Sequence, residues 1–348
     1  MIRIGINGFG RIGRAIGRQI LLSKDINLVA INELDPDIKN LAYLLRYDSI
    51  YGRFSKELKV DDNDRALLCS GKSIKVYSHT KVENVPWEKH GIDALIDSTG
   101  LRLNVLMARE LTKKRIPKII ITHSPPQSEV DFTFILGVND KFFDPMCHKV
   151  ISSSICDATA IAPVLFEIDK KWGIETSFVT TLHPWLSYQN LLDGFLSSVS
   201  SPGHFWKDYS LGRNSVLNLI SKDTTAADAI FKVAPQLKGK LDAISFRVPT
   251  NIVSASDLSV LVKSKTSAQE VNTFFKSISK KKTDIFEFQE DPLVSSDYLG
   301  TKKSAIIDSL RTKVLGSKFI KMVIWYDNEW GYSSKVVQIA RMVSSKKK

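Results

Sequence analysis

Cys156 and His183 are the residues of this 348-residue chain whose types could make and break a covalent bond. Cys156 lies in Ser152-Ser153-Ser154-Ile155-Cys156-Asp157-Ala158-Thr159-Ala160-Ile161-Ala162-Pro163. A strand-like run ends just before it, and the Ala-rich run after it starts a helix. A thiol at a helix N-terminus has its thiolate favoured by the helix dipole. His183 closes the candidate strand Phe178–His183. An imidazole that meets the sulfur could take the thiol proton, or stabilise a thiolate as imidazolium. Residue types alone leave Cys156 between a nucleophile and a small buried apolar residue, the commoner fate of a free cysteine.

A second run carries phosphate chemistry. Gly8-Phe9-Gly10-Arg11-Ile12-Gly13 is a G-x-G-x-x-G that follows a candidate strand and opens a candidate helix. Gly8 permits the tight turn, Gly10 lets a pyrophosphate approach the backbone, and Gly13 lets the helix pack close to the strand. The helix N-terminus then offers free N–H groups and a positive dipole end. Glu33, in Ile31-Asn32-Glu33-Leu34, stands where an acidic residue would accept hydrogen bonds from ribose hydroxyls and repel a 2′-phosphate. This favours NAD over NADP. The alternative is a glycine turn that merely packs a βα unit.

The elements that must position these residues fall into two textures. Candidate strands Arg3–Ile6, Ile26–Asn32, Ala94–Asp97, Lys118–Thr122 and Phe132–Val138 alternate with helical stretches such as Arg11–Leu22. That pattern implies a parallel, doubly wound sheet. From about Gly173 the strands lengthen and crowd: Ser177–His183, Ile244–Val248, Ser256–Lys263 and Phe319–Trp325. These imply a second domain on a more antiparallel sheet, and Glu329–Met342 reads as a closing helix. Leu186–Gly212, rich in Ser, Gly and aromatics, reads as a long loop.

Composition narrows the setting. Hydrophobic residues are 43% and charged residues 25%, which excludes a disordered chain. No apolar run is long enough to cross a bilayer. The start, Met-Ile-Arg-Ile-Gly-Ile-Asn-Gly, lacks a signal-peptide pattern, so a cytoplasmic location and no membrane partner are expected. The net charge is +12, yet Lys280-Lys281-Lys282 and Lys346-Lys347-Lys348 are short clusters. Diffuse charge or acidic small ligands are therefore favoured over a nucleic-acid surface. Cys69, Cys147 and Cys156 form neither a disulfide framework nor a zinc pattern, so no metal is expected.

The motifs together resemble those of the glyceraldehyde-3-phosphate dehydrogenase family. Gly5-Ile6-Asn7-Gly8-Phe9-Gly10-Arg11-Ile12-Gly13-Arg14 is similar to its opening. Tyr47-Asp48-Ser49-Ile50-Tyr51-Gly52-Arg53-Phe54 is similar to its YDSxxGxF segment, and Phe246-Arg247-Val248-Pro249-Thr250 to its FRVPT. Trp325-Tyr326-Asp327-Asn328-Glu329-Trp330-Gly331-Tyr332-Ser333 is similar to its highly specific WYDNEWGYS. Asn32-Glu33-Leu34 and Pro86-Trp87 also resemble the sister erythrose-4-phosphate dehydrogenases. The resemblance runs along the whole chain in order.

It implies an α/β protein: a Rossmann NAD-binding domain over residues 1–155 and an α+β catalytic domain with a mainly antiparallel sheet over 156–327. Residues 328–348 would return as a helix to the first domain. It implies a homotetramer, NAD as cofactor, and oxidation of a small, phosphorylated aldehyde, with inorganic phosphate as acyl acceptor in the glycolytic enzymes or water in the erythrose-4-phosphate enzymes. Cys156 would be the nucleophile and His183 the base, forming a thiohemiacetal and then a thioester. Cofactor contacts would come from Gly8, Gly10, Arg11, Ile12, Gly13, Glu33, Thr99, Gly100, Thr122, Asn328 and Tyr332. Substrate contacts would come from Thr224, Arg247 and Arg213, and residues 186–212 would be the S-loop. The same chemistry on another aldehyde, such as erythrose 4-phosphate, and a non-catalytic NAD-binding role are the alternatives.

The departures cluster at the substrate end. The family's Ser-Cys-Thr-Thr-Asn-Cys is here Ile155-Cys156-Asp157-Ala158-Thr159-Ala160. Ile155 cannot donate a hydrogen bond, and Asp157 would repel a phosphate and raise the thiol pKa. Thr-Gly-Ala-Ala is Thr224-Thr225-Ala226-Ala227, with Asp228 where a Lys is common. The S-loop Arg falls at Leu211, and His-Ala-Tyr-Thr reads His183-Pro184-Trp185-Leu186. Asp157 could instead cap the following helix.

Overall fold

The computed structural model describes residues 1–195 and 208–344. Two compact units divide the chain: residues 1–134, 139–155 and 333–348 form the first, residues 135–138 and 156–332 the second.

In the first unit β1 (Ile2–Asn7), α1 (Arg11–Leu21) and β2 (Ile26–Asn32) open the chain, followed by α2 (Ile38–Arg46). A two-residue ladder pairs β3 (Tyr47–Asp48) with β4 (Gly52–Arg53). Then come β5 (Leu58–Asp61), β6 (Ala66–Cys69), β7 (Lys72–Tyr77), β8 (Ala94–Asp97), α3 (Arg102–Lys113), β9 (Ile119–Ile121), β10 (Phe132–Thr133) and β11 (Val150–Ser152). The main sheet has nine strands in the order β10-β11-β9-β8-β1-β2-β7-β6-β5. Pairings from β10 through β7 are parallel. Their strands are near-continuous Ile, Leu, Val and Ala, as burial on both faces requires.

Two local expectations need correction. The parallel sheet ends in an antiparallel meander, β7-β6-β5, which the βα alternation did not reveal. The strand expected over Phe132–Val138 stops at Thr133, because the Val138 N–H folds back onto the Ile135 carbonyl at 3.2 Å.

The second unit begins with α4 (Cys156–Trp172), which feeds β12 (Ile174–Pro184). β13 (Ile220–Asp223), α5 (Ala226–Phe231), β14 (Leu241–Val248), β15 (Ser254–Val262) and α6 (Ala268–Lys281) follow. Finally come β16 (Phe286–Gln289), β17 (Ala305–Leu315) and β18 (Phe319–Tyr326). The sheet order is β13-β14-β12-β15-β18-β17-β16. It is mainly antiparallel, with β12–β14 and β16–β17 parallel. Ser267 starts α6 with a capping box to Glu270, and Val271, Phe275 and Ile278 turn its apolar side inward. The last helix, α7 (Trp330–Ser344), runs from the second unit into residues grouped with the first.

Against the domain bounds 1–155, 156–327 and 328–348, residues 135–138 and 328–332 group with the second unit. The first shift has a physical cause: the Lys282 ammonium donates to the Gly137 carbonyl at 3.4 Å and pairs with the buried Glu167 at 2.6 Å.

Candidate active site

The glycine turn has the shape that a pyrophosphate needs. Gly8 has φ +83°, and a Cβ there would meet the Thr99 methyl at 2.7 Å. A Cβ on Gly13 would strike the Gly8 carbonyl oxygen at 2.2 Å, so α1 sits on the turn with no room for a side chain. A Cβ on Gly10 would meet nothing within 4 Å. The space over Gly10, at the N-terminus of α1, is therefore open to a ligand's phosphates. Glu33 follows β2, and its carboxylate accepts from the Phe9 N–H at 2.5 Å and the Leu34 N–H at 2.7 Å. Its charge thus lies directly beside the turn, where ribose hydroxyls would meet it. These residues fit NAD.

A buried polar knot backs the turn. Asp97, at the end of β8, accepts from Asn7 at 2.7 Å, the Thr99 hydroxyl at 2.7 Å and Asn104 at 2.9 Å. Asn32 donates on to Asn7 at 2.8 Å. Thr99 and Thr122 are held here, the latter by its N–H on the Asp97 carbonyl at 3.0 Å, while Gly100 follows with φ +71°. Burial pushes the Asp97 carboxyl upward, against the pull of these donors. Ile12 is half-buried on α1. Arg11 pairs with Asp48 at 2.9 Å, so the YDSxxGxF segment orients it.

In the second unit Cys156 and His183 meet. Ser154, buried, takes the left-handed φ of +61° and turns the chain from β11 into α4. Cys156 then stands at the helix N-terminus, with its sulfur 3.7 Å from His183 Nε2 and 3.4 Å from Asp157 Oδ1. His183 Nδ1 donates to the Pro184 carbonyl at 2.7 Å, which leaves Nε2 as the lone-pair nitrogen facing the thiol. Tyr326 donates to Asp157 Oδ1 at 2.9 Å, and Ser256 donates to Tyr326 at 3.3 Å. Asp157 is thus drawn toward the sulfur by Tyr326, rather than serving as the helix cap.

Electrostatics follow from that packing. Burial, then the Asp157 carboxylate, pushes the Cys156 thiol well above its usual range. Burial, with Arg247 beside it, pushes the His183 imidazole down to about 4. Burial, then Asp157, pushes the Tyr326 phenol up. The resting pair is therefore thiol and neutral imidazole, despite the helix dipole. Burial and the Asp157 carboxylate outweigh Arg247 and the Asp157 N–H, which pull the thiol the other way.

Register places two cations on the same sheet face. His183 pairs with Arg247 across β12–β14, and Lys222 opposes Ser245, two residues from Arg247. Alternation along a strand puts Lys222, Arg247 and His183 on one face. Lys222 is half-buried, with its ammonium on the Asp223 carbonyl. Burial, then Arg247, pushes it down. Arg247 is buried and donates to the Tyr188 hydroxyl at 3.1 Å, while its Nε has no hydrogen-bond partner.

The remaining expected residues are less central. Arg213 is exposed and paired with Asp193 at 2.8 Å, so it is turned away from these cations' role. The Thr224 hydroxyl accepts from the Ala226 N–H at 3.2 Å and starts α5. Leu211 is buried, and the Leu186 N–H is tied to Gln189 at 2.9 Å. Part of the S-loop expectation, residues 196–207, and the terminal Lys346-Lys347-Lys348 lie outside the described residues. Asn328 is buried with Oδ1 unpartnered, and Tyr332 is buried near the start of α7. Lys222 and Tyr326 were missed as site residues, although Tyr326 lies inside the motif that carried the resemblance.

Known proteins are similar to this chain along its whole length. Residues 2–105 match the family described as glyceraldehyde 3-phosphate dehydrogenase, NAD binding domain. Residues 155–328 match that described as glyceraldehyde 3-phosphate dehydrogenase, C-terminal domain. A relative named glyceraldehyde-3-phosphate dehydrogenase 1, from Bacillus cereus, is 37% identical over 347 residues, covering 99% of both chains. A glyceraldehyde-3-phosphate dehydrogenase from Geobacillus stearothermophilus is 38% identical over 346 residues, again 99% of both. A third, described as cytosolic, comes from Craterostigma plantagineum at 37% over 348 residues and 99% of both. With both domains matched and the cofactor turn intact, the chain belongs to the glyceraldehyde-3-phosphate dehydrogenase family and has NAD as its cofactor.

Proposed function

We propose that this chain oxidises glyceraldehyde 3-phosphate, or a closely similar phosphorylated aldehyde, with NAD through a covalent intermediate on Cys156. The approach of the Cys156 sulfur to His183 Nε2, 3.7 Å between a half-buried thiol and a buried imidazole, carries the reading. NAD, when bound, supplies a hydride acceptor. The Cys156 thiol passes its proton to His183 Nε2 as the sulfur attacks the aldehyde carbon, and the imidazolium returns that proton to the carbonyl oxygen, giving a neutral thiohemiacetal with His183 again neutral. A base with its lone pair fixed on that proton needs no reorientation. His183 Nε2 then accepts the hydroxyl proton as the carbon loses its hydride and becomes the thioester. Phosphate oxygen attacks the thioester carbon, the C–S bond breaks, the acyl phosphate leaves, and His183 returns the proton to the Cys156 sulfur. Asn328, with its unpartnered Oδ1, supports a role in holding the nicotinamide carboxamide.

Lys222 and Arg247 support an anionic substrate. Both reach the face that bears His183, and they stand in for donors lost at Ile155, Leu186 and Leu211. Arg213 and Thr224 are secondary in this reading. Names of the relatives and the convergence of Cys156 on His183 favour this over another aldehyde or a non-catalytic role.

Exposed Leu191, Leu192, Phe195, Tyr209, Leu217 and Leu219 support self-association, for which a homotetramer is the expected form. A cytoplasmic location is consistent with the cytosolic relative, and no helix among the described residues is long and apolar enough to cross a membrane. The test is NADH formation from glyceraldehyde 3-phosphate, with and without inorganic phosphate. Turnover should need phosphate and vanish in Cys156→Ser. Turnover indifferent to phosphate would sink phosphate as the acyl acceptor.

A further inference from the structure

Cys156 Sγ, His183 Nε2 and an Asp157 carboxylate oxygen all lie within 4.8 Å of one another. These are the three side-chain types that zinc-class ions take as ligands. The spacing is close to what a tetrahedral ion needs. With bonds of about 2.3 Å to sulfur and about 2.0–2.1 Å to nitrogen or oxygen, ligand atoms lie about 3.5 Å apart. The observed separations are 3.7 Å from sulfur to nitrogen and 3.4 Å from sulfur to oxygen.

The surroundings already do what metal sites ask of them. The imidazole of a metal-bound histidine donates its other N–H to a carbonyl or carboxylate, which fixes the free lone pair. His183 Nδ1 does this with the Pro184 carbonyl at 2.7 Å. A ligating carboxylate is itself held by a donor. Tyr326 holds Asp157 at 2.9 Å. Ligand spacing in the sequence hides the site, because Cys156 and Asp157 come from the start of α4 and His183 from the end of β12.

We propose that Cys156, Asp157 and His183 form a binding site for a soft divalent cation of the zinc class, with the fourth position open, which reversibly blocks the nucleophile. Binding replaces the S–H bond by a metal–sulfur bond and releases the thiol proton to solvent, with no change of oxidation state. Arg247 and Lys222 on the adjoining sheet face oppose any cation that binds by charge alone. Hard ions such as magnesium and calcium, which prefer oxygen ligands, are therefore excluded.

Cobalt(II) is the probe, because it reports its own ligands. The full-length protein, stripped with a chelator, is titrated with Co²⁺. We expect a thiolate-to-cobalt charge-transfer band and tetrahedral ligand-field bands that saturate at a single ion per chain. Zn²⁺ should displace the cobalt, and Mg²⁺ should not. Cys156→Ser should remove the charge-transfer band. Asp157→Asn and Asp157→Thr, confirmed as folded by near-UV circular dichroism, should each weaken Co²⁺ binding tenfold or more. An octahedral spectrum without a thiolate band would overturn the site, and unchanged affinity in both Asp157 variants would remove Asp157 from it. Neither readout requires turnover, so inactivity toward aldehydes would leave the result intact.

Discussion

Asp157 puts a carboxylate directly beside the Cys156 sulfur, where the family pattern has a neutral Thr. Its carboxylate accepts from the Cys156 thiol and from Tyr326, and so favours the protonated sulfur. Replacing it with Asn keeps the shape and removes the charge. Burial, the larger cause of the raised thiol, remains. The pH midpoint of iodoacetamide alkylation at Cys156 should fall by roughly half a unit to one unit in Asp157→Asn. A midpoint that stays put or rises would mean that Asp157 has no such hold on the thiol. Lys222 makes the matching case for the substrate. A hydrogen bond to a charged group contributes about 1.5–3 kcal/mol. Lys222→Met should therefore raise the KM for the phosphorylated aldehyde by about tenfold to a hundredfold, with the Kd for NAD unchanged. Equal KM values in the two proteins would remove Lys222 from substrate binding. Cys156, Asp157 and His183 were all legible in the sequence, as was the pull of Asp157 on the thiol. Their meeting was not, because it depends on where the ends of α4 and β12 come to rest. The burial that raises the thiol was hidden for the same reason.

At the scale of elements, the β1–turn–α1 unit separates packing from binding. Gly13 and Gly10 are three residues apart, yet their surroundings are opposite. A methyl at Gly13 must displace the Gly8 carbonyl, 2.2 Å away, whereas one at Gly10 meets nothing within 4 Å. Gly13→Ala should cost about 1–3 kcal/mol of stability by overpacking. Gly10→Val should cost no more than about 1 kcal/mol, because valine is a poorer N-cap for α1 than glycine but meets no neighbour. It should nevertheless weaken NAD binding, because its side chain occupies the phosphate's space. Melting curves and NAD titration separate the two, and a Gly10→Val protein that binds NAD normally would contradict the cradle. This turn was fully legible, since its pattern and its flanking strand and helix are local. The β7-β6-β5 meander was not, because alternation of strands and helices says nothing of an antiparallel edge. Lys222 escaped for a related reason: only its register opposite Ser245 aligns it with Arg247 and His183.

For the molecule as a whole, buried titratable groups set how stability varies with pH. His183 is buried and held neutral, with its pKa lowered from 6.5 to about 4. Between those values the unfolded chain binds the proton and the folded chain does not. Stability contributed by this group is therefore present above about pH 6.5 and is lost as pH falls toward 4. From pH 7 to pH 5 the loss is about 2 kcal/mol, taking 1.36 kcal/mol per pKa unit. For a folding unit of this size that corresponds to roughly 4–8 °C in Tm. Asp97, in the other unit, works in the opposite sense. Its raised pKa means that the folded form holds the proton longer, so it adds stability at low pH that is lost as pH rises above its unfolded value. On the acid limb of the melting profile these two groups oppose each other, while His90 and carboxylates such as Asp48 and Asp131, all held below their usual values, add to the loss. His183→Gln, which cannot charge, should flatten that limb while leaving the Asp97 contribution in place. If wild type and His183→Gln lose the same Tm between pH 7 and pH 5, His183 is not the buried neutral base on which the proposed proton transfer depends.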